Sequence, residues 1–373
     1  MTQQRPTGPT DARAGSAAVA AHVDVIDSVR GFAALVVAYM HCREINWIGL
    51  RAHFRETGLD LWPQSLLAWA TAPFAWGSIG VPILFVVSGY VIHRRSARQM
   101  AAGRLDFSTP DFLLRRLIRI YPTFLAAIFL TFVCDYFTRG IVDHPKLGDA
   151  SFKTLLGNVL GLQGILSGPW GSNGPLWSLA IEIQFYAFYP LALALRSRIG
   201  ATPMLLAAAV PSLLGWLFLE RRGLAAFPQF YLSWWIGAWL ADREAAGEPL
   251  PGWWPALPVV FIPAGAYFTS EPSFLNFTLW SIGVAPVLAW LVASRSRLAR
   301  VRTPLHVCGD FSYSIYVTHL PVVVLANALL FGGAKPASIL YSFGIATGAV
   351  AVAWLFYLVA ERPFVRLLGR LPR

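Results

Sequence analysis

Ten stretches of this chain are apolar for about 20 residues each, the length that carries an α-helix across the hydrocarbon core of a bilayer. They run over residues 26–46, 73–92, 117–137, 175–195, 201–220, 224–241, 252–270, 274–293, 307–331 and 338–360. Lipid offers no hydrogen bonds, so every backbone group in a span must be satisfied inside the protein. Runs this long and uniformly apolar do that as helices. Prolines interrupt 201–220 and 252–270, which neighbouring helices can accommodate. The expected fold is all-α: a polytopic membrane helical bundle of about ten transmembrane helices, with both termini cytoplasmic.

Composition agrees. Hydrophobic residues make up 56% of the chain and charged residues 13%, with a mean hydropathy of +0.55. Only about a quarter of a soluble protein's residues need to be charged to cover its surface, and this chain has half that. The net charge of +11 does not call for nucleic acid, because membrane proteins concentrate Arg and Lys in cytoplasmic loops. With the N-terminus inside, 21 of the 30 Lys and Arg residues fall on the cytoplasmic side. Arg221 and Arg222 fit that orientation poorly. No apolar run begins close to Met1, so no cleaved signal is expected. Residues 1–22 read as a disordered cytoplasmic tail, and 23–373 as a single integral-membrane domain whose first span is an uncleaved anchor. Cys42, Cys134 and Cys308 are scattered and match no disulfide or metal spacing, so they read as apolar fillers, and no metal site is expected.

Ionisable residues within spans are costly and therefore informative. Arg30 and His41 lie eleven residues apart on the first span, on nearly one face and about 16 Å apart along the axis. Asp27 is one turn before Arg30 and within pairing reach. A topology anchor at Arg30 with an interfacial histidine at His41 accounts for these groups about as well as a functional role does. Arg115, Arg116 and Arg119 crowd one turn of RRLIRIYP, with Arg94 and Arg95 entering the same surface. Clustered guanidinium groups bind phosphate in planar, bidentate fashion, but they also serve as ordinary inside charge or contact anionic lipid. Glu182 interrupts the apolar GPLWSLAIEIQFYAFYP. Asp310, Ser312, Ser314, Tyr316 and His319 interrupt GDFSYSIYVTHLP, where interhelical hydrogen bonding is the structural alternative. Together these groups describe a polar cavity inside a helix bundle. Such a cavity suits a transporter for an anionic or acylated solute as well as an intramembrane enzyme.

The order of motifs separates the two. IDSVRGFAALVVAYMH, ILFVVSGYVI, RRLIRIYP, PLWSLAIEIQFY, SYSIYVTHLP and ERPF, taken in sequence, resemble the acyltransferase-3 family of membrane O-acyltransferases, from about Asp24 to Pro363. The chain departs from the family pattern at Ile183, where many members carry a second acidic residue. The resemblance implies a multi-pass enzyme of the bacterial inner (plasma) membrane. It would move an acyl group, acetyl first, from acetyl-CoA or another acyl-CoA co-substrate to a hydroxyl of a carbohydrate or glycoconjugate. The other partners it implies are membrane lipids, with no nucleic acid. On that reading His41, Arg30 and Glu182 are catalytic. Arg115, Arg116 and Arg119 hold the donor's phosphates, and Trp177, Ser314, Tyr316 and His319 line the acceptor side.

Overall fold

The computed structural model describes residues 9–57, 63–268, 274–294 and 304–370. Among these residues fifteen α-helices occur in order: α1 (Pro9–Ile45), α2 (Leu50–Thr57), α3 (Pro63–Ala70), α4 (Gly80–Ala101), α5 (Thr109–Arg139), α6 (Phe152–Val159), α7 (Leu176–Ile199), α8 (Ala201–Phe218), α9 (Phe227–Ala246), α10 (Leu257–Tyr267), α11 (Phe274–Ala293), α12 (Pro304–Asp310), α13 (Ser312–Phe331), α14 (Leu340–Phe356) and, after a π-turn at Tyr357–Glu361, α15 (Arg362–Arg370). No strand occurs among the described residues. The backbone of α1 is helical from Pro9, through much of the stretch read as a tail. Residues 1–8 and the basic loop with Arg295, Arg297, Arg300 and Arg302 lie outside the described residues.

Among the described residues, eight helical stretches are long and apolar enough to cross a membrane, and they coincide with eight of the ten expected spans. The other two differ for physical reasons. The run at 252–270 becomes α10, whose 11 residues reach about 16 Å, half the hydrocarbon thickness. The run at 224–241 becomes α9, which continues into Asp242, Arg243 and Glu244. Helix α9 is enclosed by its neighbours, with Trp234 and Trp235 fully buried. The span at 307–331 is broken at Phe311 into α12 and α13, and the hydroxyl of Ser312 donates to the Gly309 carbonyl at the break, 2.9 Å.

Glycine sets the closest helix crossings. A Cβ on Gly89 of α4 would fall on the Trp234 carbonyl of α9, and one on Gly237 of α9 would fall on the Val86 carbonyl of α4. The α1–α12 crossing works the same way through Gly31 and Gly309, against the Leu305 and Asp27 backbones. Helices in lipid gain little from the hydrophobic effect and associate through such close packing. At one end of the bundle a buried polar cluster ties α4, α7 and α9. Asp242 accepts from Arg196 at 2.7 and 3.1 Å and meets His93 Nε2 at 3.0 Å, and His93 Nδ1 reaches the Tyr189 hydroxyl at 3.0 Å.

At the opposite end, the connection from 140 to 175 folds back over the helices. Pro321 in α13 has no N–H, so it cannot bond the Val317 carbonyl four residues earlier. That carbonyl is taken instead by the side-chain amide of Asn173, 2.8 Å, which also donates to Thr131 of α5. Asp135 of α5 accepts the Ser172 backbone N–H at 2.8 Å. The loop is thereby fixed to the turn of α13 that carries His319.

Candidate active site

A half-open cleft of about 410 Å³ runs between α1, α4, α5, α7 and α13. Along α4 it extends from Arg94 to Val81, about 20 Å at the helical rise. Arg30, Arg94, Arg116 and Arg119 line its basic end, and Ser178 and Tyr316 lie at its deep end. Helix α7 contributes Leu179 and three polar residues, Ser178, Glu182 and Tyr186, which recur every four positions and so share one face of the helix.

Each arginine is held differently. Arg30 bonds Asp27 at 3.2 Å, and Arg94 lies 3.3 Å from Glu244. Arg119 lies 2.7 Å from Glu361, a carboxylate with no exposed surface. Glu361 also accepts the backbone N–H of Ser314 at 3.1 Å and its hydroxyl at 2.6 Å. Arg116 has no carboxylate in contact among the described residues; its guanidinium sits over the rings of Phe112 and Tyr186, 5.4 and 5.6 Å from their centroids. Three of the four charges are thus oriented but partly compensated, and that of Arg116 is the least compensated. Glu182, midway along the cleft, accepts from the Ser88 hydroxyl at 2.7 Å and from the Tyr186 hydroxyl. Trp234 Nε1 in turn donates to Ser88 at 3.3 Å.

At the floor, the hydroxyls of Ser178 and Tyr316 share a hydrogen bond of 2.5 Å. One turn beyond Tyr316 on α13 lies His319, whose ring stacks on that of His41 with centroids 5.4 Å apart and planes 22° from parallel. His319 is 1% exposed. Its Nδ1 faces the Ile315 carbonyl at 3.0 Å, so that nitrogen carries the proton and Nε2 keeps the lone pair. His41 is one-fifth exposed, and its Nδ1 lies 3.7 Å from Glu44, which is paired with Lys146. Neither histidine lines the cleft itself.

The expected site residues therefore separate into three groups. Arg30, Arg116, Arg119, Glu182 and Tyr316 come together in one cleft. His41 and His319 form a pair just past its floor. Arg115, Trp177 and Ser314 are not brought into the cleft. Arg115 is about 100° around α5 from Arg116, with Arg119 between them; it is Arg116 and Arg119 that line the cleft. Trp177 packs into the aromatic core on Phe230 and Phe277, at 5.3 and 5.9 Å. Ser314 is a hydrogen-bond donor to Glu361. Sequence reasoning missed Glu361, Ser88 and Tyr186 as members of the site. The available signal for Glu361 was a carboxylate in the last turn of an apolar span, beside the basic RPFVR. Asp27, His306 and Asp310 offer one ligand atom each within 4.8 Å of one another. Asp27 is already paired with Arg30, and we assign no metal there.

The family model of the acyltransferase domain matches residues 23–358. The chain belongs to the acyltransferase-3 family. It is an O-acyltransferase rather than a transporter. Acyltransferase MdmB of Streptomyces mycarofaciens is 26% identical over 79% of this chain and 82% of its own length. The O-acetyl transferase of Shigella phage Sf6 is 25% identical over 76% of this chain and 82% of its own. The peptidoglycan O-acetyltransferase OatA of Listeria monocytogenes is 30% identical, over 36% of this chain and 23% of its own. No solved structure matches the chain.

Proposed function

We propose that this enzyme takes an acyl group, acetyl first, from cytoplasmic acyl-coenzyme A and passes it to a hydroxyl of an extracytoplasmic sugar. The observation that carries the reading is the cleft with four arginines at its mouth and a histidine pair one turn beyond its floor. The donor is a polyanion with a long, thin arm. Arg116 and Arg119, with Arg30 and Arg94, hold its phosphates by charge-assisted hydrogen bonds. The arm lies along the Ser88–Glu182 wall, and the thioester reaches Ser178 and Tyr316. The acceptor approaches from the side covered by the 140–175 loop. Its hydroxyl oxygen attacks the thioester carbonyl carbon as the His41 imidazole takes the hydroxyl proton. The carbon–sulfur bond then breaks, and the proton passes to the departing sulfur. His319, neutral and fixed on Ile315, packs against the His41 ring and keeps it in place. The glycan acceptor class rests on relatives such as OatA.

Acetyl-coenzyme A turnover by purified protein in detergent, read as free thiol, tests the reading, with His41→Ala beside the wild type. Thiol release by the wild type and none by the variant supports it. Neither turnover nor coenzyme A binding in folded protein would sink the donor assignment. Labelled acetyl-enzyme trapped without acceptor, and absent in His41→Ala, would mark an acyl-histidine intermediate instead of direct transfer.

A further inference from the structure

The reaction makes no use of α15, although its sequence, RPFVRLLGR, is sharply two-sided. Arg362, Arg366 and Arg370 recur every four residues and occupy an arc of about 80°. All three are exposed, and none is in an ion pair among the described residues. Phe364 and Leu368, on the opposite side, are the partly buried positions, and α15 packs on α5. Val365 and Leu367 flank the arginine stripe, and are 38% and 45% exposed. Water does not suit these two side chains, and the helix follows directly from a span. A helix with guanidinium groups on one side and uncovered apolar side chains at its flanks lies in the headgroup layer of a bilayer.

We propose that α15 is a docking surface for anionic phospholipid headgroups, with the three arginines on the phosphates and Val365 and Leu367 in the upper acyl region. Two observations favour lipid over the phosphates of a soluble ligand. The stripe does not line the cleft, and its apolar flanks need an acyl phase to cover them. The position also gives the docking a consequence. Helix α15 begins at the residue after Glu361, on the π-turn, so a helix held in the headgroup layer fixes the carboxylate that grips Arg119. π-turns of this kind recur at functional sites.

The test is lipid retention by the full-length protein, taken from nanodiscs of phosphatidylcholine and phosphatidylglycerol and counted by native mass spectrometry. It needs no turnover, so its failure is separable from failure of the donor reading. Wild type is expected to retain phosphatidylglycerol preferentially. A basic residue at the surface is worth roughly fivefold in affinity for anionic lipid. The preference should therefore fall about fivefold in Arg366→Gln and about a hundredfold in a triple Arg→Gln variant at 362, 366 and 370. A triple Arg→Lys variant should keep it, and circular dichroism checks the fold of each. Unchanged retention in the triple Gln variant overturns the proposal. Release of the retained lipid by coenzyme A overturns it too, because the stripe would then belong to the donor site.

Discussion

Glu361→Gln probes the ion pair at the cleft whose carboxylate is fully buried. The carboxylate faces three donors: the Arg119 guanidinium at 2.7 Å, the Ser314 N–H at 3.1 Å and the Ser314 hydroxyl at 2.6 Å. Glutamine keeps the shape but offers one acceptor oxygen and an NH₂, so at least one donor is left facing a donor. Breaking one side of a buried pair costs about 3–5 kcal/mol. Arg119 keeps 24% of its side-chain surface in solvent, which screens the pair, so the lower end applies, about 3 kcal/mol. Two readouts follow. Thermal unfolding in detergent should fall by several degrees. The KM for acetyl-coenzyme A should rise at least tenfold with a smaller change in kcat, because Arg119 is no longer held at the mouth. Ser314→Ala removes one hydroxyl donor to the carboxylate and should cost about 2 kcal/mol, with donor KM within about twofold of wild type. Unchanged melting and donor KM in Glu361→Gln would refute the argument that this carboxylate orients Arg119.

Three further outcomes are expected. Arg116→Gln should raise donor KM more than tenfold and Arg115→Gln less than twofold, because Arg116 lines the cleft and Arg115 does not; equal effects would refute the cleft as the phosphate site. Gly89→Ala should destabilise by about 1–3 kcal/mol, since its methyl group falls on the Trp234 backbone, and wild-type melting would show that α4 and α9 pack otherwise. Burial holds the His144 imidazole below its ordinary value, with Nε2 on Asn327 and Nδ1 accepting the Lys146 N–H. Its contribution is intact above the unfolded value near 6.5 and is lost as pH falls toward the depressed one, so melting should decline on acidification, and less steeply in His144→Gln. Parallel pH slopes would count against that.

Much of the bundle is legible because span length and apolarity are local properties. Eight expected spans have counterparts. The ones that changed depended on contacts the sequence does not display. Helix α9 is wrapped in aromatic neighbours, so its charged end at Asp242 finds partners on α4 and α7. The candidate site divides similarly. Helical period groups Arg115, Arg116 and Arg119 within an arc of about 100°, with Arg119 between the other two. Which of them enter the cleft is set by the helices packed around α5, and Arg115 stays outside it. Glu361 was invisible as a site member because its partners lie 242 positions away at Arg119 and 47 away at Ser314.

The motifs that carry the family resemblance also sort by the physical job of each residue. Gly31, Gly89 and Pro321 act through the backbone. Gly31 lets α1 meet α12 beside Asp27 and Arg30, Gly89 lets α4 meet α9 beside Ser88, and Pro321 frees the carbonyl that anchors the 140–175 loop. Arg30, Ser88, Glu182 and His319 act through side chains, each within two turns of one of these positions or on the wall facing it. A polar group in lipid is expensive unless its partner is fixed, and close crossings and freed carbonyls fix partners without adding polar side chains. That is the reason the shaping residues and the charged ones occur side by side in the same short motifs. Substitution of a shaping glycine should therefore impair stability and donor binding together, whereas substitution of Arg116 should impair donor binding alone.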